Sequence, residues 1–391
     1  MAAPSLAGAM PESSVQPAGP VNAALSVRIV VKQSESFSLD VEFLAPPGFT
    51  ILFGGSGAGK TTILNSIAGL LRPDAGRIAL GEGELVLFDS ALDIDVPVGK
   101  RKVGYLFQNL ALFPHLTVEQ NVQYGLAHMD RAARRERTAK ILESFQIAHL
   151  ARQKPGEVSG GERQRAALAR SLVIDPTVLL LDEPLSALDT TTKSKIIDDL
   201  RVWNADHGIP IIYVTHATRE AYALGDHMVV LESGRVVVEG TPSDVLQSPT
   251  QETVANLAGF ENVFDASVTA VNQNYGTMLC RPAGGEIEIE VPLTRAVRGE
   301  PVRIAIRAGD IMLAAERPQA ISARNVFAGR LLSIERRGAT VIIRSDAGGA
   351  YFESQVTPQA VEELRLQEGR QVWLVIKTYS CHVVERSSPP A

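Results

Sequence analysis

Three stretches of this sequence have residue types and spacings suited to phosphate chemistry. Gly54-Gly55-Ser56-Gly57-Ala58-Gly59-Lys60-Thr61 fits G-x-x-x-x-G-K-[ST]. Glycines in such a loop let successive backbone N–H groups turn inward around phosphate, and the following helix directs its positive end at the anion. Lys60 would reach the outer phosphates, and the Thr61 hydroxyl would ligate Mg2+. Val178-Leu179-Leu180-Leu181 is an apolar run that ends in Asp182 and Glu183. There, Asp182 could hold Mg2+ through water, while Glu183, facing another way, could polarise an attacking water. Alone, this pair also fits a buried strand with a solvated turn; the phosphate loop upstream favours the chemical reading. Ser159-Gly160-Gly161-Glu162 opens the helical sequence ERQRAALARSL, so it makes both a helix N-cap and a further anion site.

The elements around these residues must deliver them to one place. From about residue 26 to 240, β-branched runs alternate with amphipathic helical patterns, which predicts an α/β fold on a largely parallel sheet. Residues 49–53 (FTILF) read as a buried strand, and 60–71 as a helix through Ile63, Leu64, Ile67, Ala68 and Leu71. Runs 178–181, 211–214 and 228–231 have strand length. Between about 109 and 155 the sequence turns charged and helix-forming, as a helical insertion would. Beyond about 260, short strands and turns replace helices, and a pattern repeats. Asn262-Val263-Phe264 recurs as Asn325-Val326-Phe327, and 299–313 matches 369–384 with Arg307 and Lys377 in equivalent places. Two copies too small to be stable alone would pack as one β-barrel-like unit.

Val158-Ser159-Gly160-Gly161-Glu162-Arg163-Gln164-Arg165, lying between the phosphate loop and Asp182, resembles the signature of the ABC ATPase family. That signature is usually Leu-Ser-Gly-Gly-Gln; this chain departs at Val158 and Glu162, on either side of the intact Ser-Gly-Gly backbone. The resemblance covers roughly residues 26 to 245 and implies roles for further residues. Gln108 looks like the glutamine that senses the γ-phosphate and contacts Mg2+, and His216 like the switch histidine. Ser186 and Asp189 look like the dimer-contacting loop. The implied ATP-binding set is the phosphate loop with Thr62 and an adenine-stacking aromatic, for which Phe37 is the candidate and Phe43 competes. In this family Ser159, Gly160, Gly161 and Glu162 of one chain close over ATP held by another. The resemblance therefore implies a homodimer that hydrolyses ATP with Mg2+, on the cytoplasmic face of the inner membrane. It further implies two membrane permease subunits and an extracytoplasmic substrate-binding protein. Residues 109–124 would contribute to the permease docking surface through Leu110, Leu112, Phe113 and Leu116, unless these pack only the helical subdomain.

The C-terminal half resembles the regulatory barrel of importer ATPases, its second copy most of all the molybdate-binding (Mop-type) module. The carriers are Ser322-Ala323-Arg324-Asn325-Val326 and Val375-Ile376-Lys377. Ser322, Arg324 and Lys377 are the oxyanion candidates, although Lys377 also fits an ordinary solvated strand edge. Together with VGYLFQNLALFPHLTV, these residues point to molybdate or tungstate import, with molybdate as a possible regulatory ligand. The alternatives are a sulfate, iron or sugar importer, or a soluble ABC ATPase outside transport. Expected boundaries are a disordered extension at 1–24, an ATPase domain at 25–245 (helical subdomain about 109–175), a linker at 246–260 and a tandem barrel at 261–388 (Mop-like copy 320–386).

Composition fits this picture. At 391 residues the chain exceeds one ordinary core. A formal net charge of −6 offers no basic surface for nucleic acid. No apolar run reaches the roughly 18 residues of a membrane span. Cys280 and Cys381 stand apart without metal or redox spacing and read as small apolar fillers.

Overall fold

A computed structural model describes residues 23–34, 37–81, 84–186, 188–247 and 249–384. Most of the expected extension at 1–24 lies outside these residues, as do positions 385–388 at the end of the expected barrel.

A six-stranded sheet carries the first half. Its strand order is Arg235–Gly240, His227–Glu232, Gly48–Gly54, Pro210–Val214, Val178–Asp182 and Val103–Leu106. All neighbours run parallel except the outermost pair, Arg235–Gly240 on His227–Glu232. Val178–Asp182 and Pro210–Val214 are buried throughout, which is why they read as unbroken apolar runs rather than alternations. Their residues divide by side. Leu179, Leu181, Ile211 and Tyr213 pack with the helical segment, while Val178, Leu180, Ile212 and Val214 pack with the helix Lys60–Ala68 and a second sheet. That second sheet is antiparallel, in the order Phe37–Ala45, Leu25–Ser34, Ala75–Leu80, Leu85–Asp89, Ile94–Asp95.

The helix after the phosphate loop stops at Ala68, short of the expected Leu71. Gly69 takes φ 80°, and the N–H groups of Gly69 and Leu70 turn back to the carbonyls of Ser66 and Asn65. This left-handed cap ends the helix although the apolar spacing continues.

The C-terminal half is a barrel-like unit of two antiparallel five-stranded sheets around one core. One sheet runs Ile289–Pro292, Thr277–Pro282, Asn262–Asn272, Pro301–Ile306, Cys381–Val384; the other runs Met312–Ala314, Gln371–Ile376, Asn325–Arg337, Thr340–Ala347, Ala350–Val356. The repeat is therefore real in space, with a twist that the pattern did not carry: each copy gives its last strand to the other. Cys381–Val384 pairs with Pro301–Ile306, and Met312–Ala314 pairs with Gln371–Ile376. The repeated asparagines complete the exchange. The Asn262 amide donates to the Glu353 carbonyl (2.9 Å) and accepts from its N–H (2.6 Å). The Asn325 amide does the same with Glu290, at 2.8 and 2.7 Å. A buried amide thus extends each copy's backbone ladder into the other.

The barrel is tied to the last helices of the first half. Arg307 donates to the Leu246 carbonyl (2.6 Å) and stacks on Phe260 (4.4 Å to the ring centroid), and Arg303 pairs with Glu252.

Candidate nucleotide site

Four adjacent parallel strands end at one level, and the candidate residues sit just beyond their carboxyl ends, where open α/β sheets bind ligands. Gly48–Gly54 leads into the phosphate loop, Pro210–Val214 to His216, Val178–Asp182 to Glu183, and Val103–Leu106 to Gln108. Lys60 points back into the loop, donating to the Gly54 and Gly55 carbonyls at 2.9 and 2.8 Å. Burial lowers the Lys60 pKa from the usual amine value, against the attraction of Glu183 and Asp182. The Thr61 hydroxyl donates to Asp182 at 3.1 Å. Burial raises the Asp182 pKa from the ordinary aspartate range, opposed by that hydrogen bond. Thr61, Asp182 and Gln108 offer hydroxyl, carboxylate and amide oxygens, the hard donor set that suits Mg2+. Gly59 has φ 103°, and a Cβ there would lie 2.5 Å from Leu39 Cδ1. Only glycine lets the loop lie this close to the antiparallel sheet.

Glu183 is the convergence point. Gln108 Nε2 donates to one carboxylate oxygen and His216 Nδ1 meets the other, each at 3.3 Å. The Glu183 backbone is left-handed at φ 45°, an unfavourable conformation for a residue with a Cβ, held by a hydrogen bond from its N–H to the Val214 carbonyl. The next strand over therefore fixes where the carboxylate points.

The helix Gly160–Leu172 begins with a capping box. Ser159 Oγ accepts from the Glu162 N–H, and the Glu162 carboxylate accepts from the Ser159 N–H at 2.8 Å. Hydrogen bonding to the Ser159 side chain, and then to its backbone N–H, holds the Glu162 pKa below the usual glutamate range. The departure from glutamine at this position thus closes its own helix end. A Cβ on Gly161 would lie 2.7 Å from the Thr192 methyl, so the second signature glycine lets the helix Thr190–His207 approach. Asp189 caps that helix through Thr192. Ser186 donates its N–H to the Glu183 carbonyl.

Phe37 and Phe43 lie on the same strand, three repeats of the alternation apart. Phe43 is buried in the core, whereas Phe37 is half-buried with its ring tip 3.4 Å from the Cβ position of Gly59. Proximity to the loop favours Phe37. In residues 109–124, Leu110 and Leu112 pack against the sheet core, and Phe113 lies against Tyr124 (4.5 Å between centroids), which is exposed. Leu110 and Ala111 have φ of 60° and 46°, and the Arg170 guanidinium binds both their carbonyls. The segment is a braced turn with apolar groups on both sides.

Arg101 carries no signal of its role in the sequence. Its side chain is fully buried, with Nη1 donating to the Ser66 and Ile67 carbonyls at 2.8 Å, Nε to Val96 and Nη2 to Asp95. A cation thus closes the negative end of the helix that begins at Lys60. Arg101→Met should remove roughly 3 kcal/mol of stability, because it orphans buried carbonyls. Chemical denaturation would measure it; a loss within about 0.5 kcal/mol, the range of neutral surface changes, would refute the capping role.

In the barrel, Ser322 and Lys377 line one cavity of about 500 Å3 with Met312, Ile321 and Val375. Arg324 is exposed and does not line it, so only two of the three oxyanion candidates come together. In the first copy, Arg307, the counterpart of Lys377, lies against the Phe260 ring instead. Cys280 and Cys381 are buried, and burial pushes their thiols up to about 11 and about 12, which fits inert fillers. Among the described residues no helix is long and apolar enough to cross a membrane.

Comparison with known proteins agrees with this geometry. A family model described as ABC transporter matches residues 40–186, and one described as TOBE domain matches 321–383. The molybdenum import ATP-binding protein ModC of Rhizobium meliloti is 38% identical over 88% of this chain and 95% of its own length. The molybdate/tungstate import ATP-binding protein WtpC of Pyrococcus abyssi is 38% identical over 92% of this chain and 99% of its own. Similarity of this extent through both halves, with the phosphate loop, the paired carboxylates and the signature helix in place, makes the chain a member of the ABC transporter ATP-binding protein family.

Proposed function

We propose that this chain is the ATP-hydrolysing subunit of an importer for molybdate or tungstate, acting as a homodimer beneath two permease subunits at the cytoplasmic face of the membrane. An extracytoplasmic binding protein would deliver the anion. The observation that carries the hydrolytic reading is the meeting of Gln108 and His216 on the two oxygens of Glu183. Phe37 stacks on adenine, and the glycine-rich loop from Gly54 to Thr62, with Lys60, grips the phosphates. Thr61, Asp182 and Gln108 would hold Mg2+, which when bound would supply positive charge beside the phosphates. Glu183 accepts a proton from the attacking water, and His216 and Gln108 fix its orientation. Ser159, Gly160, Gly161 and Glu162 of the partner chain face the same nucleotide, with Ser186 and Asp189 at the contact. A lone chain lacks those donors, so association and turnover are linked.

The cargo reading is supported by what the relatives are named for and by the cavity holding Ser322 and Lys377. Proteoliposomes containing the chain and its permease should accumulate molybdate on ATP addition, with tungstate competing. Equal competition by sulfate would remove the cargo assignment. Equilibrium dialysis of the full chain tests the barrel separately. Saturable molybdate binding should weaken at least about tenfold on Lys377→Ala, the loss expected for one charged hydrogen bond. An unchanged affinity would mean that Lys377 is a solvated edge residue.

A further inference from the structure

Glu220 is a buried carboxylate that this mechanism does not use. It sits on the short helix Thr218–Leu224, directly after His216, and is 6% exposed. Three donors converge on it. One oxygen accepts from the Tyr213 hydroxyl (3.0 Å) and the Thr215 hydroxyl (2.8 Å); the other accepts from Lys193 Nζ (2.9 Å). The Thr215 hydroxyl oxygen in turn accepts from the Ala217 N–H at 3.0 Å. His216 is therefore held from both flanking residues, through a single carboxylate.

Lys193 brings in a second piece of the site. It lies one turn into the helix that Asp189 caps, and its N–H donates to the Asp189 carbonyl at 3.0 Å. The same turn of that helix carries Thr192, which packs against Gly161 of the signature. The pair Lys193–Glu220 thus joins the His216 turn to the segment running from Glu183 through Ser186 to Asp189. Stability alone is a poor reason for this arrangement, since apolar residues of similar volume usually serve as well as a buried ion pair. What the pair supplies is a fixed distance between two loops that must act together.

We propose that Glu220 is a positioning residue: with Lys193 and Thr215 it locks the His216 turn to the Asp189-capped helix, so that dimer-loop contact and γ-phosphate contact are made together. The proposal rests on the hydrolytic reading given above. It predicts a defect in the chemical step rather than in nucleotide binding, because the phosphate loop and Phe37 lie on other strands.

The test is steady-state ATPase kinetics of the full chain, in its transporter complex, with melting temperature measured alongside. Lys193→Met should lower kcat about tenfold or more, the scale of a small misplacement of a reacting group, with KM for ATP within about twofold. Lys193→Arg, which keeps a cation in reach of the carboxylate, should recover most of the loss. Thr215→Val removes the hydroxyl at nearly constant volume and should reproduce the kcat defect, which covers the case that the first variant folds poorly. If Lys193→Met and Thr215→Val melt like the parent and keep its kcat, or if their defect lies in KM alone, the positioning role is wrong. Glu183→Gln run in parallel separates the two readings. Parental turnover in Glu183→Gln would overturn the hydrolytic assignment itself, whereas a silent Glu183→Gln beside fully active network variants would overturn only the role of Glu220.

Discussion

Glu183→Gln should bind ATP at least as tightly as the parent and turn it over about 10²- to 10⁴-fold more slowly, the contribution of a general base. The substitution is close to a pure removal of basicity. Glutamine has the same shape, its carbonyl can still accept from Gln108, and the hydrogen bond from its N–H to Val214 that fixes the left-handed backbone is untouched. Binding is not weakened, because the lost charge stands near the place where the phosphates must lie. Its removal also relieves Asp182, whose pKa is raised by burial first and by the Glu183 charge after it. Single-turnover hydrolysis beside a nucleotide titration separates the two effects. A rate within a few-fold of the parent would mean that Glu183 is not the base, and that the strained backbone serves only the turn.

Within the barrel, Asn325→Ala carries the largest expected effect on stability. It deletes both bonds to Glu290, leaves that residue's N–H and carbonyl without their partner, and costs about 2–4 kcal/mol. For a unit of this size the loss corresponds to a fall on the order of 10 °C in the barrel's melting transition. Asn262→Ala should act alike through Glu353. Because the sheets share strands, calorimetry should show the whole barrel transition moving as one. If Asn325→Ala splits it into an early and an unshifted late step, the two copies are independent units and the exchange contributes nothing to cooperativity.

What could be read from the sequence divides along physical lines. The phosphate loop, the Asp182–Glu183 pair and the Ser159 cap are local: each needs only a few adjacent residues, so their types and order are enough to suggest their chemistry. The strands were legible because burial on both faces leaves unbroken apolar runs. Spacing alone does not decide between Phe37 and Phe43, since residues an even number apart on a strand share a face; the half-burial of Phe37 and its approach to Gly59 separate them. Arg101 and Glu220 were invisible as single polar letters. Their partners at Ser66, Ile67 and Lys193 come near only through the tertiary fold. The repeated asparagine was seen, but its partner lies 91 residues away in one case and 35 in the other. Strand patterns also carry no label for the sheet they join, which is why the exchange of last strands went unforeseen. For the same reason the expected Mop-like copy at 320–386 leaves out Met312–Ala314, a strand of its own sheet.

The exchange also orders events during synthesis. The six-stranded sheet has all its strands once Gly240 has left the ribosome, so the nucleotide-binding half can fold while the rest is still being made. The first barrel copy cannot do so. Its sheet stays one strand short until Cys381–Val384 emerges, and until then the edge of Pro301–Ile306 is an open template for any passing strand. A ribosome stalled before Cys381–Val384 emerges would therefore hold out a folded nucleotide-binding half beside an unclosed barrel, and nascent chains on neighbouring ribosomes would be the strands nearest to hand.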